Sequence, residues 1–401
     1  MEEPLGMDRG GDSRMAVERV LKAYFALIAP SCDYLSFFTH AEQQWIADVL
    51  LRKEEQQISH RDQWGNWEFP FTNEQYTLPY VDRFVLDRLG GKDKFPETPW
   101  PEKRRFAAWL THDLDVLSLS DPLALLRRQM QAARHAAGYA EKALHYAHAA
   151  YSRLRSLRPA QQDPLWLYER WMDAEIAHGF NSTFFVFSRP SSKNDLHLYD
   201  CDYVWSDRMM YRACRMNAGD FIKRIMGEGV EIACHGSFNT WRNAALLKQQ
   251  KDNLEDLIGK PVLASRQHFL HYDIHHTPDV LKEAGFKVDS TMGFNRTIGF
   301  RAGTSYPYKM LNGLLEVPQI IMDGALFNTN SLELDELLAC RKIEKIMNEV
   351  ETSGGCLTIN FHPNYLLNPA WWNTYLFILK ELKARNAACV NAASILELTE
   401  I

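Results

Sequence analysis

Residues 106–116, FAAWLTHDLDV, run from an apolar segment into a histidine and two aspartates. In an extended strand alternate side chains share a face, so Asp113 and Asp115 project side by side, about 6–7 Å apart. Neighbouring carboxylates repel unless a positive charge lies between them. Taken alone, the stretch reads as a strand ending in a solvated acidic turn, with half of a metal site as its alternative. What lies downstream turns the balance toward the metal site.

The same pattern, a compact apolar run ending in polar residues, recurs in NSTFFVFS (181–188), VEIACHG (230–236), FKVDST (286–291) and CLTINFH (356–362). Helical patterns precede the last three: AGDFIKRIMGEG (218–229), TPDVLKEAG (277–285) and ELLACRKIEKIMNEVETSGG (336–355). Helix-to-strand alternation predicts an α/β fold with a parallel sheet, open or closed into a barrel. Asp113, Asp115, His235, Asp289 and His362 gather where the apolar runs end, and such architectures build their sites at the carboxyl ends of strands.

The 401 residues, 46% of them hydrophobic, suffice for one large domain with additions or for two domains. A net charge of −6 makes no overall electrostatic case for nucleic acid. The seven cysteines (Cys32, Cys201, Cys214, Cys234, Cys340, Cys356 and Cys389) contain no C-x-x-C pair and read as reduced, structural thiols. The first apolar stretch, MAVERVLKAYFALIAP (15–30), is interrupted by Glu18, Arg19 and Lys22, which predicts an amphipathic helix and not a signal peptide. No run of eighteen apolar residues occurs, so no spanning helix is expected and the cytoplasm is the expected compartment.

Residues 1–100 read as an N-terminal cap or small domain. It contains the aromatic stretch QWGNWEFPFTNEQYTLPY (63–80), in which Trp64 or Trp67, if exposed, would suit sugar stacking. From Leu126 to Leu154 apolar residues follow a strict four-three spacing, which predicts one long amphipathic helix inserted at about 120–160. Between 127 and 158 it carries seven Arg or Lys against the single acid Glu141. The plain expectation is an Ala-rich stripe packed on the body, or on a second copy as a homodimer, with a solvated basic face. The sharper one is peripheral contact of the basic helix 122–158 with a membrane headgroup or an anionic glycan.

Singly, His235 and His362 read as satisfied strand-end histidines and Arg266 as a surface cation. In order, they make a hydrolytic metal site. A catalytic metal needs about three ligands drawn from His, Asp or Glu. Asp115 and His235 supply two, while Asp113 and His362 are candidates for base and acid.

The segments LTHDLD (110–115), STFFVFS (182–188), EIACHGSFNT (231–240), SRQHFLHYDIHHTPDVLKEAGFKVDSTMGF (265–294), GFRAGTSYPY (299–308), MDGALF (322–327) and LTINFHPNY (357–365) resemble, in order and spacing, the motifs of the polysaccharide deacetylase family. The resemblance covers about residues 105–400 except the insertion. It implies a distorted (β/α) barrel over 101–401, with the long helical insertion and the N-terminal cap. It also implies a metal-dependent carbohydrate N-deacetylase acting on an N-acetylated sugar or glycan in glycan biosynthesis. On the family pattern Asp113 is the base, Asp115 and His235 are metal ligands, Arg266 orients the base, His362 is the general acid and Asp289 supports them. Arg301, in GFRAGT, is expected to line the pocket or buttress a loop.

Two departures stand out. The family's second motif carries another histidine where this chain has Asn239, and Leu114 separates aspartates that are adjacent in many members. Two-residue spacing keeps both on one strand face. For the third ligand the expectation is His268, in a subgroup sharing SRQH and GFRAGT segments, with His271 and Asn239 behind it. The metal is expected to be divalent, zinc first. The missing histidine keeps a catalytically inactive, glycan-binding protein as the alternative. A glycosidase using Asp113 and Asp115 is disfavoured, because its two carboxyls must flank the glycosidic bond.

Overall fold

The computed structural model describes residues 11–62, 64–67, 74–94, 97–155, 163–365 and 367–399. Its strands are β1 (Ala107–Leu114), β2 (Ser182–Phe187), the hairpin β3 (Arg208–Tyr211) and β4 (Cys214–Asn217), β5 (Glu231–Gly236), β6 (Ala264–Gln267) and β7 (Val288–Asp289). They continue with β8 (Tyr308–Lys309), β9 (Leu315–Glu316), β10 (Ile321–Met322), β11 (Cys356–Asn360) and β12 (Ala388–Cys389). The main sheet runs β10-β11-β1-β2-β5-β6-β7-β9-β8, with β12 beside β1. Every pair in it is parallel except β8–β9.

The predicted alternation is realised. Helix Ala218–Gly227, capped by the Asn217 side chain, leads to β5, and Thr277–Glu283 leads to β7. Glu336–Ser353, capped by Asp335 and closed on Gly354 at φ 83°, leads to β11. All eight residues of β1 are buried, as a strand with parallel neighbours on both sides requires.

The sheet curls. β1 and β6 are three strand spacings apart, about 14 Å if the sheet were flat. Yet Arg266 on β6 reaches Asp113 on β1 at 2.9 Å. Only a concave face brings them together, so the architecture is the expected distorted, unclosed (β/α) barrel. Alternation along β1 sorts its polar residues: Asp113 faces the concave side, whereas His112 faces the helices, its ring nitrogens 2.7 Å from Glu175 Oε1 and 2.6 Å from the Phe361 carbonyl.

The N-terminal region shares the barrel's core. Val20, Leu21, Tyr24, Ile46 and Val85 belong to one buried cluster with Trp109, Phe184 and Tyr306. The GFRAG segment makes this contact. A Cβ at Gly299 (φ 142°) would collide with the Tyr76 carbonyl, and one at Gly303 (φ 69°) would lie 2.8 Å from the Tyr80 ring. Between them Arg301 is buried and forks onto Glu55, with Nε and Nη2 2.9 and 2.8 Å from its two oxygens. Arg52 Nε also donates to Glu55, at 2.8 Å. Arg301 therefore buttresses the junction and does not line the pocket.

The insertion corrects the expectation of one long helix. Pro122–His135 and Tyr139–Arg155 are separate helices packed against each other, broken at 136–138, where Gly138 stands. Glycine is a poor helix former, and folding back lets the two helices bury part of each other. The stripe is not packed on the body throughout: Leu144, Tyr151 and Leu154 are exposed, as are Tyr139 and Tyr146. Part of the basic face is also paired, with Arg127 bonded to Asp207 and Arg128 2.7 Å from Asp202. Arg158 lies outside the described residues. Among those described, no helix is long and apolar enough to cross a membrane.

Burial pushes the Glu55 carboxyl up, but Arg301 and Arg52 outweigh it and hold it at about 2, below its ordinary 4.5. A depressed folded value adds stability that is fully present above 4.5 and is lost as the pH falls toward 2. Replacing Glu55 by Ala strands the buried Arg301 guanidinium and leaves Arg52 with Glu54 as its carboxylate, 2.6 Å away, which should cost about 3–5 kcal/mol in chemical denaturation at neutral pH. The Glu55→Gln variant should show a flatter loss of stability in the acid range than the parent.

Candidate metal centre

The site lies at the carboxyl ends of β1, β5, β6 and β11. Asp113, the penultimate residue of β1, is buried with both oxygens engaged: Oδ1 accepts from Arg266 Nη1 at 2.9 Å and Oδ2 from Asn360 Nδ2 at 2.7 Å. Arg266 is not a surface cation; it is fully buried. Its Nε donates to the Ser290 carbonyl at 2.9 Å, Nη1 to Thr111 Oγ1 at 2.8 Å and Nη2 to Ser290 Oγ at 3.0 Å. Its flat face lies 4.2 Å from the Phe185 ring centre. Burial pushes the Asp113 carboxyl up, but Arg266 and then His235 and His362 outweigh it and hold it below its ordinary value.

Asp115 sits just past β1, among three histidines. Its Oδ1 is 3.2 Å from His235 Nε2 and 3.7 Å from His268 Nε2, and its Oδ2 is 3.6 Å from His362 Nε2. Burial is again outweighed, here by His268 and His235, and Asp115 is held well below the carboxylate range. His235, at the end of β5, turns Nδ1 to the Arg266 carbonyl at 3.0 Å. An N–H donated there leaves Nε2 with a free lone pair. That atom is buried without a hydrogen-bond partner, as is His268 Nδ1.

The residues fit a divalent metal. A carboxylate kept ionised and an imidazole whose second nitrogen is fixed by a backbone carbonyl are the donors such an ion takes. Burial lowers the proton affinity of His268, but Asp115 raises it more, so a metal there would compete with a proton. The Cys201 thiol, buried in the loop after β2, lies 3.9 Å from Asp115 Oδ1. Among the described residues, Asp115, His268 and Cys201 have donor atoms all within 4.8 Å of one another.

His362 follows β11 and faces Asp113 Oδ2 at 3.8 Å. Asp323 holds it from behind, accepting from its backbone N–H at 2.6 Å and lying 2.7 Å from Nδ1. Burial lowers its proton affinity, but Asp323 outweighs burial, with Asp115 and Asp113 adding to the effect, and His362 is pushed up to about 10.

The other expected residues fall elsewhere. Asn239 is exposed and lies off the cavity. His271 turns to the Phe238 carbonyl at 3.2 Å, with its ring tilted against Trp241 at 4.2 Å; burial pushes it down to about 4. Asp289 stands behind Arg266 with Thr291 Oγ1 donating to it at 2.6 Å, beside the buried Glu316, which burial and Asp289 together push well up. A cavity of about 710 Å³ opens over Asp113, Asp115, His235, His268 and His362. One wall comes from His60, Arg61, Asp62 and Trp64 of the N-terminal region, with Trp64 stacked on Phe269 at 5.4 Å. Asn295, Arg296, residues 328–331 and Tyr365 complete it. Trp67 instead packs on Tyr76 and Arg52.

Cys201, Asp323 and Asn360 were not singled out from the sequence. Asp323 and Asn360 do stand within the MDGALF and LTINFHPNY segments, whereas Cys201 has no motif around it.

No protein-family model and no curated protein matches the chain. Among solved structures it is similar to a protein described as a polysaccharide deacetylase from Mycobacterium smegmatis, at 17% identity over 75% of this chain and 92% of that one, with a TM-score of 0.49. It is also similar to PuuE allantoinase, at 13% identity over 75% and 92% of the two chains and a TM-score of 0.46. A polysaccharide deacetylase of Pseudomonas aeruginosa PAO1 is similar at 12% identity over 75% and 93%, with a TM-score of 0.45.

Replacing His268 by Ala should weaken zinc binding by more than about 100-fold, the upper end of what losing a mere supporting partner costs. Asn239→Ala and His271→Ala should leave it unchanged. Equilibrium competition with a chromogenic chelator measures all three.

Proposed function

We propose that the protein is a metal-dependent hydrolase that removes an N-acetyl or related acyl group from an amino sugar during assembly of a glycan. The observation carrying this reading is a convergence of side chains: His362 Nε2 lies 3.8 Å from Asp113 Oδ2 and 3.6 Å from Asp115 Oδ2, beside His235, whose buried Nε2 has no hydrogen-bond partner.

Asp115, His235 and His268 would hold the metal. A divalent ion there would polarise the acyl carbonyl and make water easier to deprotonate. Asp113, fixed by Arg266 and Asn360, accepts the proton of the attacking water. His362, kept protonated by Asp323, gives its Nε2 proton to the departing sugar nitrogen. Arg266 touches no substrate in this scheme; it positions Asp113 and keeps it ionised. The cavity is large enough for a sugar unit, with Trp64 offering a ring face for it to stack on. The seven unpaired thiols support a reducing compartment, the cytoplasm.

Purified protein reconstituted with zinc should release acetate from N-acetylated amino sugars. Asp113→Asn should lower the rate by about 10²–10⁴-fold while bound zinc stays stoichiometric. Wild-type protein that binds zinc and glycan but releases no acyl group would establish the inactive, glycan-binding alternative instead.

Asp323→Asn removes the charge that raises His362. The alkaline limb of kcat should therefore move to lower pH, because the general acid loses its proton earlier. Trp64→Ala should raise KM several-fold with a smaller change in kcat.

A further inference from the structure

We infer that Cys201 is a further ligand of the metal centre, added to the donors of Asp115, His235 and His268. The inference rests on the reading that those three hold a divalent metal, whose place for water and the acyl oxygen would come from expansion to five-coordination.

Donor spacing carries it first. Around a four-coordinate ion with bonds of about 2.0–2.3 Å, neighbouring donor atoms stand about 3.3–3.8 Å apart. Asp115 Oδ1 has His235 Nε2 at 3.2 Å, His268 Nε2 at 3.7 Å and Cys201 Sγ at 3.9 Å. The thiol thus belongs to one cluster with Asp115 and His268, whose donor atoms all lie within 4.8 Å of one another. A second, independent observation points to a ligand: His235, only 1% exposed, has its Nε2 3.2 Å from Asp115 Oδ1 and without a hydrogen-bond partner.

The chain also builds a support for this thiol. Asp200, next to it, ties its loop to the turn after β5: Oδ1 accepts from the Phe238 N–H at 2.7 Å and Oδ2 from the His197 N–H at 2.8 Å. His197 stacks flat on Phe238 at 4.2 Å. On the other side, the Tyr203 hydroxyl accepts from the Phe187 N–H at the end of β2, at 2.7 Å. The turn whose Asn239 points to solvent is therefore the one that clamps the Cys201 loop over the centre.

Ligation replaces the S–H bond by a sulfur–metal bond and releases the proton to solvent, with no change of oxidation state. A sulfur donor makes the site softer and favours zinc or cobalt over magnesium or manganese.

The test uses the full chain loaded with Co²⁺. The expected result is one cobalt per chain with a near-ultraviolet sulfur-to-cobalt charge-transfer band, lost in Cys201→Ser and kept in Cys389→Ser. One bound cobalt without the band overturns the Cys201 assignment and leaves the metal centre standing. No bound cobalt overturns both. Because Cys201→Ser can fail to fold, X-ray absorption of the zinc-loaded wild type gives a second reading: one sulfur at about 2.3 Å is expected, and a shell of nitrogen and oxygen only refutes the assignment.

Discussion

A guanidinium group with no access to solvent sits at the centre of this protein. Removing an ion from water costs several kcal/mol even after relaxation, so Arg266 is stable only where its donors and its charge are met. Thr111 and Asp113 on β1 and Ser290 after β7 meet them, and Phe185 on β2 covers its face. With Arg266 itself on β6, these residues come from four strands or their ends. The pair with Asp113 is thus made only when the sheet has curled, and the same pair leaves Asp113 ionised.

Two carboxylates at the site act on different neighbours. Arg266 holds the Asp113 carboxyl below its ordinary value, whereas Asp323 raises the proton affinity of His362. The opposed shifts follow from where each countercharge is buried, since the side chains are otherwise ordinary. The N-terminal region takes part as well. Gly299, Arg301 and Gly303 seat it on the barrel, and its His60, Arg61, Asp62 and Trp64 then form a wall of the cavity. Docking the region and shaping the cavity are one event.

Much of this was legible in the residues. Helix-to-strand alternation located the principal strands, and two-residue spacing put Asp113 and Asp115 on one face. His268 was preferred over His271 and Asn239, and the structure places His268 beside Asp115 and the other two away from it. Other features were misjudged for identifiable reasons. The four-three pattern of the insertion continues unbroken through Gly138, since periodicity records which residues are apolar and not where a helix folds back. For Arg301, pocket lining and loop support stood equally open, because its partner, Glu55, lies 246 positions away.

Local order along the chain determined what depends on neighbours in sequence: strands, helices, their caps, and the side of a strand on which a residue falls. Tertiary structure alone decided which charges meet. The proximity of Cys201 to Asp115, of Asp323 to His362 and of Glu55 to Arg301 arises from loops brought together by the curl of the sheet. Electrostatic interaction at a few ångströms depends on distance in space and on the exclusion of water, and neither is written in sequence separation.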